Sequence, residues 1–120
     1  MVYASEHRSL AMIEYFVHID SGDPPKDLVV VTVEIPTSVS RLSISSRQLP
    51  EGWRDTPAPA ALVEVGDGFV RNRRAAVLLV PSALAPEEMN CLINPGHRDF
   101  VKVRVAAIER FHYDSRFFGL

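Results

Sequence analysis

Glu14 and His18 stand four residues apart in the stretch YASEHRSLAMIEYFVH, Tyr3–His18. If that stretch is helical, the two side chains share a face. Leu10, Ile13 and Val17 recur at helical spacing and mark an apolar stripe for the core, with Glu14 at its edge. A carboxylate there is either half-exposed and solvated, or held at the wall of a pocket. Spacing alone favours the solvated reading, since charged residues flank most such stripes. In a pocket, a fixed negative charge stabilises positive charge that develops beside it. A second candidate is Ser82, which follows Pro81 at the end of the apolar run Ala75–Val80. Side chains at such strand exits often point into a cleft. Arg71, Arg73 and Arg74 form a short basic cluster, read either as a solvated helix end or as a phosphate contact. The four histidines fall in two remote pairs, His7 with His18 and His97 with His112. Each reads as an isolated surface or satisfied histidine, and no metal site is expected. GxGxxG, P-loop and HExxH motifs are absent, and so is a nucleophile elbow.

The elements that must position these groups follow from pattern. Val2, Tyr3 and Ala4 are strand-compatible, Ser5 suits a helix N-cap, and Glu6 suits the positive end of the helix dipole. Ser21-Gly22-Asp23-Pro24-Pro25 predicts a loop. Leu28–Ile35 is rich in β-branched residues and predicts a buried strand ended by Pro36. Val39–Ser45 alternates as a second strand with one wet face. Gln48–Pro59 is an irregular connection that Trp53 is expected to anchor to the core. Ala60–Arg71 predicts a helix weakened at Gly66 and Gly68 by about 1 kcal/mol each. Ala75–Val80 predicts a buried strand. Pro86–Asn94 reads as a turn of helix or an irregular edge, and Phe100–Phe111 as a half-exposed strand extending through Ile108. The tail Phe117–Leu120 is apolar. Strands outnumber helices without strict interleaving, which predicts an α+β domain with a mixed, mostly antiparallel sheet.

Composition narrows the function classes. A chain of 120 residues is the size of one domain with a real core. A net charge of −2 leaves no electrostatic footprint for nucleic acid or an anionic membrane. The single Cys91 excludes an intramolecular disulfide and a cysteine-rich zinc site. No run is long enough to span a bilayer and no signal peptide is visible, so a cytoplasmic protein is the expectation.

Three segments in order, YASEHRSLAMIEYFVH, LPEGWRDTPAPA and AAVLLVPSALAPEEMNCLINPGHRDF, carry a resemblance. Together they resemble the RES domain, named for an arginine, a glutamate and a serine. The pairing of VPSAL with E-x-x-N-x-L-x-N-P-x-H is the specific part. The resemblance implies an ADP-ribosyltransferase-like fold and a bacterial toxin–antitoxin role. The toxin would degrade NAD as substrate, with no other cofactor, and would be neutralised by an Xre-type helix-turn-helix antitoxin. By position, the family's site maps to Tyr3, Glu14, His18, Ser82 and Asn90. The family also has an arginine about ten residues before the tyrosine, which this sequence does not include. The expectation is therefore a single RES-like domain over 1–120 lacking its N-terminal segment. Such a chain would be weakly active, with an uncovered sheet edge that makes a homodimer one outcome. The alternative is a truncated remnant acting as a binding or regulatory module.

The implied chemistry is cleavage of the nicotinamide–ribose bond, by phosphorolysis or hydrolysis. It builds positive charge on the ribose, as in glycoside cleavage, and Glu14 is the carboxylate to stabilise it. Tyr3 would offer an aromatic face and a hydroxyl to the nicotinamide. Ser82 and Asn90 would hydrogen-bond ribose or amide groups. His18 would orient Glu14 or bind an acceptor phosphate when protonated. For the dinucleotide phosphates, Arg8, the amides near Ser5 and the Arg71–Arg74 cluster are substitutes.

Overall fold

The structure, a computed structural model, describes residues 1–20 and 22–119. Ser21, where the first loop is predicted to begin, and Leu120, the end of the apolar tail, lie outside the described residues. The fold is α+β, with strands β1 (Val2–Ser5), β2 (Val29–Glu34), β3 (Arg41–Ser43), β4 (Val77–Pro81), β5 (Met89–Ile93) and β6 (Arg104–Arg110). The helices are α1 (Arg8–Phe16) and α2 (Ala60–Asn72). Four strands form one sheet in the order β1-β5-β4-β3, and β2 pairs with β6 in a separate two-stranded sheet. Every pairing is antiparallel except β3 with β4. The chain makes that parallel link through α2, as a parallel crossover requires.

Period-two alternation sorts the large sheet into two faces. Val77 pairs with Ile93 and Leu79 with Cys91, and these meet Val39 and Ala76 in one buried cluster. Ile35, Phe100 and Val103, at the ends of the small sheet, pack against the same cluster. On the other face Leu78 pairs with Leu92, and both meet Phe69 from α2. Tyr3 and Ser5 of β1 lie opposite Leu92 and Asn90 of β5. That register puts Tyr3, Ser5, Asn90 and Leu92 on the α2 face, and a slip of one residue would turn all four away.

Several elements differ from the reading of the sequence. Met89–Ile93 is one of the two inner strands of the large sheet, where the sequence reads as a turn of helix or an irregular edge. Asn90 makes that strand look mixed, yet its amide is hydrogen-bonded at both ends and so is tolerated inside the sheet. Ser5 is not a helix cap. It remains in β1, and α1 begins after His7 without a side-chain cap. Of the predicted stripe only Leu10 is buried, while Ile13 and Val17 are exposed. The far end of α1 is held through Phe16, packed among Tyr113, Phe117 and Phe118 with ring centroids 5.2–5.8 Å apart. The hydroxyl of Tyr113 donates to the Met12 carbonyl at 2.6 Å. Phe100 to Lys102 belong to a 3-10 turn, so the last strand starts at Arg104. Val29 and Val31 are exposed although their run reads as buried, because the small sheet has only two strands and leaves one face open.

One polar contact ties the 3-10 turn to the large sheet. The Ser40 amide donates to Asp99 Oδ2 at 2.9 Å, and the Ser40 hydroxyl accepts from the Ala76 amide at 3.0 Å. The hydrogen bond from the Ser40 backbone holds the Asp99 carboxyl below its ordinary value, with Ser40's side chain and the nearby Lys102 adding to it. A lowered folded-state pKa gives stability that is complete above the unfolded carboxylate value, roughly 3.9, and is lost as pH falls through the folded value. Melting temperature should therefore fall more steeply below about pH 4 in the wild type than in Asp99→Asn. Parallel acid limbs would show that the contact does not contribute.

Candidate active site

The face carrying Tyr3, Ser5, Asn90 and Leu92 is covered by α1 on one side and α2 on the other. Between the helices lies a cleft of about 710 Å³, within the range of small-molecule sites. Its floor is β1, β5 and the end of β4, through Tyr3, Ser5, Asn90, Leu92 and Val80. Helix α1 contributes Ala11, Glu14 and Tyr15, and His18 lines the cleft from the turn beyond the helix's C-terminal end, outside the helix face that the sequence spacing predicts. The opposite wall is Leu62, Val63, Gly66 and Asp67 of α2, with Leu49, Trp53 and Ala58 of the preceding loop. The lining is mostly apolar and its acidic groups are Glu14 and Asp67.

Glu14 is held in this cleft by two side chains. Its Oε1 accepts from Ser82 Oγ at 2.5 Å and from Asn90 Nδ2 at 2.9 Å. Each donor is itself fixed. Asn90 Oδ1 accepts from Ser5 Oγ at 2.7 Å, which leaves the Asn90 amide nitrogen turned to Glu14. Ser82 Oγ accepts from the Leu84 and Ala85 amides, each at 3.1 Å, and its own amide donates to the Glu88 carbonyl at 2.9 Å. The Ser82 hydroxyl proton is thus directed at Glu14. Both donors are neutral, so they orient the carboxylate without cancelling its charge. Both bonds fall on Oε1.

The residues singled out from sequence come together around this group, but in different ways. Tyr3 is 73% exposed at the cleft mouth. Asn90 lies in the floor and touches Glu14 directly. Ser82 has no exposed surface, so its hydroxyl reaches the cleft only through Glu14. His18 lines the cleft, while the hydrogen-bond partners of Glu14 among the described residues are Ser82 and Asn90. Arg8 is paired with Glu109 at 2.9 Å and Arg71 with Glu64 at 2.6 Å, and neither lines the cleft. Among the described residues no cluster of potential metal ligands occurs.

Two residues acquire a place that the sequence did not suggest. Ser5 fixes the orientation of the Asn90 amide. The signal for it was the alternation of Tyr3 and Ser5 along β1, which requires both to face the same way. Trp53 lines the cleft, not the core. The irregular loop that carries it gave no periodicity from which to read its direction.

Comparison with known proteins agrees with the ordered motifs. The model of the RES domain matches residues 1–114. A Sphingobium protein named Prs ADP-ribosylating toxin is 37% identical over 118 residues, covering 97% of this chain and 73% of that protein. A Yersinia enterocolitica protein named Toxin Res is 35% identical over 99 residues, covering 82% of this chain and 64% of that one. A Pseudomonas putida protein, also named Toxin Res, is 33% identical and covers 98% of this chain and 79% of its own length.

The geometry makes Ser82 a stability determinant as well. Ser82→Ala deletes a buried hydroxyl and leaves the Leu84 and Ala85 amides without their acceptor. The expected loss is about 1–3 kcal/mol, read from denaturant unfolding. A variant as stable as the wild type would mean that these amides find other partners.

Proposed function

This chain belongs to the RES domain family, and we propose that it is a toxin-type enzyme that cleaves the nicotinamide–ribose bond of NAD. The observation that carries the reading is the Glu14 carboxylate, held by two neutral donors at the wall of a largely apolar cleft. In the proposed reaction the C1′–nitrogen bond breaks. Its electron pair goes to the pyridinium nitrogen, which leaves as neutral nicotinamide. C1′ becomes oxocarbenium-like and is captured by an acceptor oxygen. Glu14, its Oε1 fixed, presents Oε2 to that carbon and stabilises the charge. Asn90 and Ser82 act through Glu14 as positioning residues. Tyr3, exposed at the mouth, supplies a ring face for the nicotinamide, and His18, which also lines the cleft, meets the acceptor anion.

The acceptor divides the reading. Water or phosphate makes the reaction NAD degradation, and an acceptor group on a protein makes it ADP-ribosylation, as the name of the Sphingobium relative states for that protein. All three share the first bond-breaking step, so the role of Glu14 is common to them. As a family reading, a helix-turn-helix antitoxin of the Xre type is the proposed partner. The alternative, a binding module without turnover, keeps the same cleft but needs no charge at Glu14.

The test is release of nicotinamide from NAD by the purified chain and by Glu14→Gln. Glutamine keeps the volume and an oxygen for Ser82 and Asn90, so folding should be unchanged. Loss of the charge should slow release by roughly 10²–10³-fold, about 3–4 kcal/mol. Equal release by the two proteins would remove Glu14 from the chemistry, and no release by either would favour the binding module.

A further inference from the structure

Helix α2 separates the cleft from a second concavity, a groove of about 450 Å³ between α2 and the outermost strand β3. Of their lining residues the two share only Val65. The groove floor is apolar: Leu42 and Ile44 from β3, Leu78 from β4, and Val65 and Phe69 from α2. Leu42 is 44% exposed, so an apolar side chain seated there would remove it from water.

The free edge of β3 adjoins this floor. The Ser40 carbonyl accepts from the Val77 amide at 3.1 Å, and the Ile44 amide donates to the Leu79 carbonyl at 2.9 Å. Residues 40, 42 and 44 therefore turn their backbone groups to β4, and Arg41 and Ser43 turn theirs outward. Among the described residues no strand lies on that outer side, and all of β3 is exposed. Such an edge is a template for one more strand. Beyond Arg41 it is closed. The Arg41 side chain folds back and donates to the Val39 carbonyl at 3.3 Å and the Pro36 carbonyl at 2.7 Å. An added strand has room along Arg41–Ser43 and must stop there.

Charge fixes the direction of that strand. Arg74 lines the groove just before β4, whose Val77 lies opposite Arg41, so its guanidinium belongs to the closed end. Arg73, with a φ of 52°, makes the left-handed turn that ends α2 and brings Arg74 there. Glu64 and Arg71 neutralise each other at 2.6 Å, and none of the described ion pairs includes Arg74. The C-terminus of α2 carries a partial negative charge of about half a unit, less than the full charge of Arg74. A strand parallel to β3 would bring its amino end to this positive end. An antiparallel strand would bring its carboxyl end, and the closed edge makes that end a chain terminus.

We propose that this groove docks the C-terminal tail of a partner protein as an antiparallel strand on β3, with its terminal carboxylate at Arg74. Main-chain bonds to Arg41 and Ser43 would hold the tail, and the floor at Leu42 and Ile44 would select apolar residues at alternate positions. With α2 between them, the docked tail leaves the cleft open, and docking is independent of the chemistry proposed for Glu14.

The test starts from a display library of short random peptides with free C-termini, selected on the purified chain. The expected enrichment is of alternating apolar residues before the terminal carboxylate. The enriched peptide is then titrated by fluorescence anisotropy against the wild type, Arg74→Gln, Ser43→Ala and Ser43→Pro. Arg74→Gln, and separately amidation of the peptide's C-terminus, should each weaken binding about tenfold or more. Ser43→Pro removes an outward N–H that β4 does not use, so the melting temperature should hold while binding is lost. Ser43→Ala keeps that N–H and should bind as the wild type does. If Ser43→Pro melts lower, Arg74→Gln and the amidated peptide decide. Any of four results would overturn the proposal: no enriched peptide, wild-type affinity in Arg74→Gln, equal binding of the amidated peptide, or a wild-type dimer that Ser43→Pro separates, which would give the edge to a second copy.

Discussion

The convergence of two hydrogen bonds on Glu14 Oε1 is the constraint on which the rest of this structure depends. The donors come from different elements, Ser82 after β4 and Asn90 within β5, and Glu14 comes from α1. Bringing them together requires β4 and β5 to be neighbours in register, and α1 to lie over the Asn90 face. The antiparallel register that pairs Val80 with Asn90 and Ser5 with Asn90 meets the first requirement. The aromatic clamp on Phe16 and the Tyr113 bond to the Met12 carbonyl bear on the second, because they fix the helix two residues to either side of Glu14. An isolated carboxylate at the edge of an apolar cleft would carry a desolvation cost. Two oriented donors offset it and leave the charge in place. An arginine in their position would hold the carboxylate as well but would neutralise the field that a developing cation needs.

How much of this was legible in the sequence depended on whether a signal was local. Helical spacing put Glu14 beside an apolar stripe, and the ordered motifs placed Tyr3, Ser82 and Asn90 with it. What no spacing could say was which of them face the cleft and which stand behind it. Ser82 is wholly buried and Tyr3 is largely exposed. Met89–Ile93 does not read as an inner strand because Asn90 and Cys91 interrupt its aliphatic pattern. The Asn90 amide finds its partners only once β1 and α1 are in place, so the satisfaction is tertiary and invisible locally. Ser5 was read as a cap because serine before a helix usually is one. Here β1 extends through it, and pairing with β5 takes precedence over capping.

The α+β class and the strongest runs were legible because they rest on composition and period alone. Ala60–Arg71 and Ala75–Val80 lie within a residue or two of α2 and β4. Burial in β2 was misjudged for a related reason. A β-branched run states a preference for pleated backbone, not how many strands will flank it. In a two-stranded sheet Val29 and Val31 remain open to solvent.

The central claim is that Ser82 acts on the reaction only by fixing Glu14. A double-mutant cycle on nicotinamide release tests it most directly, with Glu14→Gln, Ser82→Ala and the combined variant assayed well below their melting temperatures. Residues that act as one unit are strongly non-additive. The account predicts that Ser82→Ala slows the enzyme when Glu14 is present and has no further effect once Glu14 is glutamine. A double variant slowed by the full product of the two single effects would show that Ser82 contributes independently of Glu14, and would contradict it.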